Sequence, residues 1–144
     1  MNAQLAKSLF SAALIGGLAG WTLENVLALA KSEPERFSHL FQKASVPFLP
    51  VYAAGGAMIE ALSPFLKNEK LASRAVVYAA SLTALELIAC KLDRIAGDAS
   101  WSYAPDGESS SLEGCVDLPH GLAWGGLGLL AERFLPKVVG ARKK

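Results

Sequence analysis

The sequence has 144 residues, of which 52% are hydrophobic and 19% are charged, and its formal net charge is +1. This composition is too apolar for an ordinary soluble domain, so it favours a membrane protein. The only notable Lys/Arg cluster is formed by the last three residues, which predicts no nucleic-acid partner.

The chain contains two cysteines, Cys90 and Cys115. No paired Cys or His residues lie around them at the spacing of metal ligands, so no metal site is predicted. A disulfide between them requires that both reach an oxidising compartment. The sequence leaves this pairing open.

Four apolar segments follow one another along the chain, each near the length of about 20 residues that crosses a bilayer. They cover approximately residues 8–30, 44–66, 71–94 and 118–139. A single soluble domain of this size cannot bury four helices that are apolar on nearly all sides. The sequence therefore predicts one all-α integral membrane domain over residues 1–144, a polytopic four-transmembrane-helix bundle. A signal peptide is the alternative for the first segment, but its apolar character continues to Ala30, well beyond such a peptide.

The Lys and Arg residues between the segments predict the orientation. With the N-terminus in the cytoplasm, nine of them lie on the cytoplasmic side and five on the far side. The nine are Lys7, Lys67, Lys70, Arg74, Arg133, Lys137, Arg142, Lys143 and Lys144, and the five are Lys31, Arg36, Lys43, Lys91 and Arg94. We therefore expect a multi-pass protein of the bacterial cytoplasmic (inner) membrane with both termini cytoplasmic and with the short acidic loop 97–117 outside.

Glycines recur on one face of three segments. Gly16 and Gly20 are four residues apart, Gly56 lies four residues after Tyr52, and the last segment has glycines at a four-three spacing: Gly121, Gly125 and Gly128. Small residues on a stripe let helix backbones approach closely, which is how helices associate when lipid offers no hydrophobic drive. These six glycines are predicted to form helix-packing faces.

Each glycine stripe leads to a glutamate: Glu24, Glu60 and Glu132. Glu60 and Glu132 fall near the predicted cytoplasmic ends, where we expect them to reach the interface and meet Lys67, Arg133 or Lys137.

Glu24 and Glu86 fall deeper, in the outer halves of the first and third segments. Placing a charged carboxylate at membrane depth costs about 3 kcal/mol or more in free energy, so such an acid is usually paired, protonated or exposed to water. Either these two lock the bundle through hydrogen bonds, or they form a proton or substrate site. Lys91 and Arg94 lie close enough along the helix to be counter-charges of Glu86.

Five motifs carry a resemblance to a known family. They are "GWTLENVL" (20–27), "VPFLPVYAAGGAM" (46–58), "TALELIACKLDRI" (83–95), "WSYAP" (101–105) and "LPHGLAWGGLGLL" (118–130). In this order the motifs resemble the CmpB-like, ABC-transporter type IV family of small bacterial membrane proteins. The resemblance covers roughly residues 20–136.

The resemblance also marks individual residues. They are Trp21, Glu24, Pro50, Tyr52, Glu86, Trp101, Tyr103, Trp124 and Gly125. Trp21, Tyr52, Trp101, Tyr103 and Trp124, together with the two deep acids, form the candidate intramembrane polar site. The family's Arg-Gly before the second segment is missing here, and its Trp-Asp-Tyr-Ser reads Trp-Ser-Tyr-Ala. Trp101, Tyr103 and Trp124 are equally typical of aromatic residues at a membrane interface.

Three functions remain open. The sequence favours a non-catalytic subunit or accessory component of a larger membrane assembly, in contact with lipid and with other subunits or itself. The alternative is a permease-like module that binds a proton, cation or small solute at Glu24 and Glu86. A lipid-acting enzyme ranks last, because no nucleophile–base pair, metal-ligand set or cofactor motif accompanies these acids. The sequence has no Gly-x-x-x-x-Gly-Lys-Ser/Thr loop, so ATP hydrolysis would require an ATPase partner.

Overall fold

The computed structural model describes residues 3–30, 48–97, 114–116 and 118–139 as an all-α structure. Four helices follow in chain order: α1 (Ala3–Ala30), α2 (Phe48–Leu66), α3 (Leu71–Ile95) and α4 (Leu118–Val139). The predicted all-α class is confirmed. α1 begins five residues before the predicted segment, because the good helix formers of "AQLAK" extend it beyond the apolar run.

Proline and glycine explain several helix ends. Gly97 follows α3 with φ of +90°, a left-handed conformation that suits glycine, and its N–H donates to the Arg94 carbonyl at 3.1 Å. Pro119 occupies the first turn of α4, where a missing N–H is tolerated. Pro64 lies inside α2 and cannot donate to the Glu60 carbonyl, which instead accepts a long contact from Ser63 Oγ at 3.4 Å.

The helices form two antiparallel pairs. α1 packs mainly against α2, and α3 packs mainly against α4, with fewer contacts between the pairs. In the first pair Ser8 meets Glu60 while Gly16 meets Gly56, so the chain directions are opposite. The buried core at the junction of the pairs contains Ala12, Ile59, Tyr78, Leu82 and Leu135.

Much of the helical surface is apolar. Among the described helices, α2 (over Leu49–Leu66) and α3 are long and apolar enough to cross a membrane. Only 33% and 28% of the residues in their most apolar windows are buried, whereas the core helix of a soluble protein is mostly buried. Large side chains such as Phe10, Phe65 and Leu122 are more than half exposed. Crossing by α1 and α4 stays a prediction.

Candidate functional site

The inward face of α3 is a continuous buried stripe. Its buried residues are Tyr78, Leu82, Glu86, Ala89, Cys90 and Asp93. Their spacing of three and four residues places them on one side of the helix. Glu86 lies in the middle of this stripe with only 1% of its surface exposed. Bulk water therefore has almost no access to the Glu86 carboxyl group.

Glu86 is held by a residue of the neighbouring helix. Trp124 Nε1 on α4 donates a hydrogen bond to Glu86 Oε2, and the donor–acceptor distance is 2.9 Å. A buried polar group is tolerated when it is hydrogen-bonded, and an indole N–H can only donate. The hydrogen bond therefore links α3 to α4. It also gives a partner to two polar groups whose burial without a hydrogen bond would be destabilising.

Tyr52 connects this pair to the other half of the bundle. Its ring lies against the Trp124 ring, with centroids 5.9 Å apart and planes tilted by 54°. The Tyr52 side chain also packs against Gly20 of α1 so closely that a Cβ at Gly20 would overlap it. Tilted aromatic pairs at this distance contribute about 0.5–1.5 kcal/mol beyond area burial. The contact chain Gly20, Tyr52, Trp124 and Glu86 thus joins all four helices.

The glycines predicted to be packing residues lie against neighbouring helices. A Cβ at Gly16 would lie 2.8 Å from Gly56 Cα, and a Cβ at Gly125 would lie 2.9 Å from the Ala75 carbonyl oxygen. A Cβ at Gly121 would lie 3.3 Å from Thr83 Oγ1, and a Cβ at Gly128 would overlap the Tyr78 side chain. Such close approach needs positions without a side chain.

Glu60 differs from the sequence prediction. It is 7% exposed, and its Oε1 accepts a hydrogen bond of 2.7 Å from Ser8 Oγ of α1. The prediction that Glu60 meets a surface cation is wrong in the structure, because the antiparallel register that joins Gly16 to Gly56 also brings Ser8 opposite Glu60. Within the described chain, Glu60 Oε2 has no hydrogen-bond partner.

Glu132 does meet a cation, but not the one expected. Its Oε2 accepts hydrogen bonds from Arg74 Nη2 at 2.7 Å and from Arg74 Nε at 3.1 Å. Arg74 lies in the first turns of α3, so this partly buried pair joins α3 to α4 at the end opposite Cys90. Charge-assisted bonds of this kind are among the stronger hydrogen bonds in proteins.

Cys90 and Cys115 form a disulfide, with Cα atoms 5.6 Å apart. Both cysteines are fully buried. The bond ties the C-terminal turns of α3 to the residues just before α4. The pairing that the sequence left open is thus present, one turn beyond Glu86.

The remaining predicted site residues belong to α1 and to the sequence between α3 and α4. Trp101 and Tyr103 lie outside the described residues, as does the side chain of Glu24, whose backbone belongs to α1. Trp21 is half-buried on α1. Among the described residues, no group of three His, Cys, Asp or Glu could hold a metal ion.

The sequence interpretation missed Ser8 and Asp93, although both follow visible patterns. Ser8 extends the four-residue spacing of Ala12, Gly16 and Gly20 by one turn towards the N-terminus. Asp93 lies seven residues after Glu86 on the buried stripe and is 1% exposed. Helical spacing alone would have placed both on inward faces.

The bond between Trp124 and Glu86 predicts a non-additive pair of substitutions. We expect Trp124→Phe to lower the free energy of unfolding by about 2 kcal/mol, because it removes a donor from a buried acceptor. In a Glu86→Leu background the same change should have a much smaller effect, since the acceptor is gone. Chemical unfolding of the four proteins in detergent gives the coupling energy. Strictly additive effects would contradict the bond.

Comparison with known sequences identifies the family. The sequence profile described as "Putative ABC-transporter type IV" matches residues 12–143, which span most of α1 and all of α2, α3 and α4. No match was found among curated proteins or among solved structures. The family description and the apolar helices α2 and α3 together indicate a membrane location and a transport-associated component. The chain belongs to the putative ABC-transporter type IV family.

Proposed function

We propose that this chain is a non-catalytic, four-span subunit of a larger membrane assembly. In this proposal all four helices cross the bacterial cytoplasmic membrane, and Glu86 holds the bundle together instead of carrying a substrate. The observation that carries the proposal is the Glu86 carboxyl group, which is 1% exposed and hydrogen-bonded to Trp124 of the next helix. An acid that served a transported ion would need a route to water.

The proposed orientation is supported by the charge distribution and by the disulfide. Disulfides persist in oxidising compartments, which supports an extracytoplasmic position for Cys90 and Cys115. The ion pair between Arg74 and Glu132 lies at the other end of α3 and α4, the end with more Lys and Arg in the sequence. Both termini are then cytoplasmic.

The proposed partner is another membrane subunit, which in turn binds an ATPase that supplies the energy. The family description refers to ABC transporters, which are driven by ATP, and this sequence has no phosphate-binding loop of its own. The outward surface is rich in apolar side chains that a second subunit or lipid could cover.

Purification from native membranes tests the assignment as a subunit. A tagged chain expressed at its natural level, extracted in mild detergent and sized by light scattering, should elute as a complex with other membrane proteins. Extraction in a harsher detergent, as the control, should release the chain alone. A stable monomer with no partner under mild conditions would contradict the proposal.

The permease-like alternative makes a different prediction. If Glu86 bound a transported proton or cation, Glu86→Gln would abolish ion-dependent uptake in vesicles while the protein stayed folded. A structural role predicts that the amide oxygen introduced by Glu86→Gln still accepts the Trp124 hydrogen bond, so that the complex assembles as before.

A further inference from the structure

A cavity of about 270 Å³ lies between the two helix pairs. All four helices contribute to its wall, for example through Ile15, Gly55, Leu82 and Leu135. The wall is almost wholly apolar, and among the described lining residues Trp124 and Tyr52 have a polar side-chain atom. An apolar cavity of this kind does not hold ordered water, because water needs two to four polar partners.

The cavity opens between α1 and α4. Of its lining residues, Leu23 of α1 is 41% exposed, and Leu127 and Phe134 of α4 are 38% and 54% exposed. Leu82, the one described residue of α3 that lines the cavity, lies by contrast in the buried core. In a membrane-spanning chain the open side faces hydrocarbon, so the cavity is continuous with the interior of the bilayer.

The volume of the cavity indicates the size of the molecule that it can bind. A cavity of about 150 Å³ lined by apolar residues binds benzene, which scales to a chain of on the order of ten carbon atoms here. The space therefore suits one unbranched alkyl chain.

We propose that this cavity binds the end of one acyl chain of a bilayer phospholipid, inserted between α1 and α4 towards Tyr52 and Trp124. The inference rests on the proposed membrane insertion but not on the proposed partner. The hydrogen bond to Glu86 and the contact with Tyr52 fix the Trp124 indole at the cavity wall. Trp124 is therefore a built-in reporter of the occupant.

Fluorescence quenching tests the proposal. Trp124 is made the sole tryptophan by Trp21→Phe and Trp101→Phe, and the full chain is reconstituted into phosphatidylcholine vesicles with brominated or plain acyl chains. Bromine quenches tryptophan on close contact, so we expect brominated chains to remove more than half of the emission. Two cavity-filling variants, Ala19→Leu on α1 and Ala131→Leu on α4, should each keep at least twofold more emission than the parent.

The controls distinguish quenching by a chain inside the cavity from quenching by the lipid around the protein. Ala123→Leu adds the same side chain to an exposed position of α4 outside the cavity, and it should quench like the parent. If Trp124 were quenched as strongly in both filling variants as in the parent, the proposal would be overturned. It would also be overturned if brominated phospholipid left Trp124 unquenched and only free brominated fatty acid, added to the vesicles, quenched it. Flotation with the vesicles reports insertion separately: a chain that does not float contradicts the membrane proposal itself, whereas a floating chain with unquenched Trp124 contradicts only the acyl-chain site.

Discussion

Replacing Gly56 by leucine is expected to lower the free energy of unfolding by about 3 kcal/mol, at the upper end of the usual costs of overpacking. A Cβ at this position would overlap the Ala12 carbonyl oxygen and lie 3.0 Å from Gly16 Cα. Both neighbours are backbone atoms, so they cannot rotate away. α1 and α2 must then separate, which also pulls Ser8 from Glu60. Chemical unfolding in detergent measures the loss.

Gly126 supplies a matched control on α4. No heavy atom lies within 4 Å of a Cβ built there, and the position is exposed. Gly126→Leu therefore adds the same side chain without overlap, and the better helix propensity of leucine should leave stability unchanged or raised by up to about 1 kcal/mol. Equal losses for the two glycine variants would show that close packing of α1 on α2 is not the cause.

Removing the disulfide is the second large perturbation. We expect the double variant Cys90→Ser and Cys115→Ser to lose about 3 kcal/mol, because the closed loop restricts the unfolded chain. The bond spans 25 residues and joins α3 to the start of α4, so its loss should act on the same helix pair as the Trp124→Phe change. Thermal unfolding of the oxidised chain and of the serine variant gives the difference.

A reductant gives an internal control for the disulfide. Dithiothreitol should lower the Tm of the parent towards that of the serine variant and leave the variant itself unaffected. A parent whose Tm does not respond to the reductant, although its thiols become alkylated, would rule out a stabilising role for this bond.

The helix faces could be predicted from the sequence because they depend on spacing within one element. Gly16 and Gly20, like Gly121 and Gly125, recur every four residues, which puts them on one face whatever the fold. The stripe through Tyr78 and Glu86 has the same origin. Composition likewise indicated helices and a membrane before any contact was known.

The partners of these faces could not be predicted, because they depend on which helices meet and in which register. The sequence suggested Lys91 and Arg94 as counter-charges of Glu86, because a sequence shows only which residues are neighbours on the same helix. The structure adds Trp124, a donor 38 residues away on another helix.

Ser8 and Glu60 show the same limit. Glu60 looked like an interfacial acid because of its position near a helix end, and only the antiparallel register of α1 and α2 reveals that it is buried against a hydroxyl.

The number and direction of membrane crossings are tested most directly by reporter fusions in bacteria. Alkaline phosphatase is active only outside the cytoplasm, and green fluorescent protein exported in unfolded form does not fluoresce. Four crossings with both termini inside predict phosphatase activity for fusions after Ser38 and Glu108, and fluorescence for fusions after Glu69 and Lys144. If only α2 and α3 crossed, Ser38, Glu108 and Lys144 would all report the same side, and that result would contradict the four-span subunit.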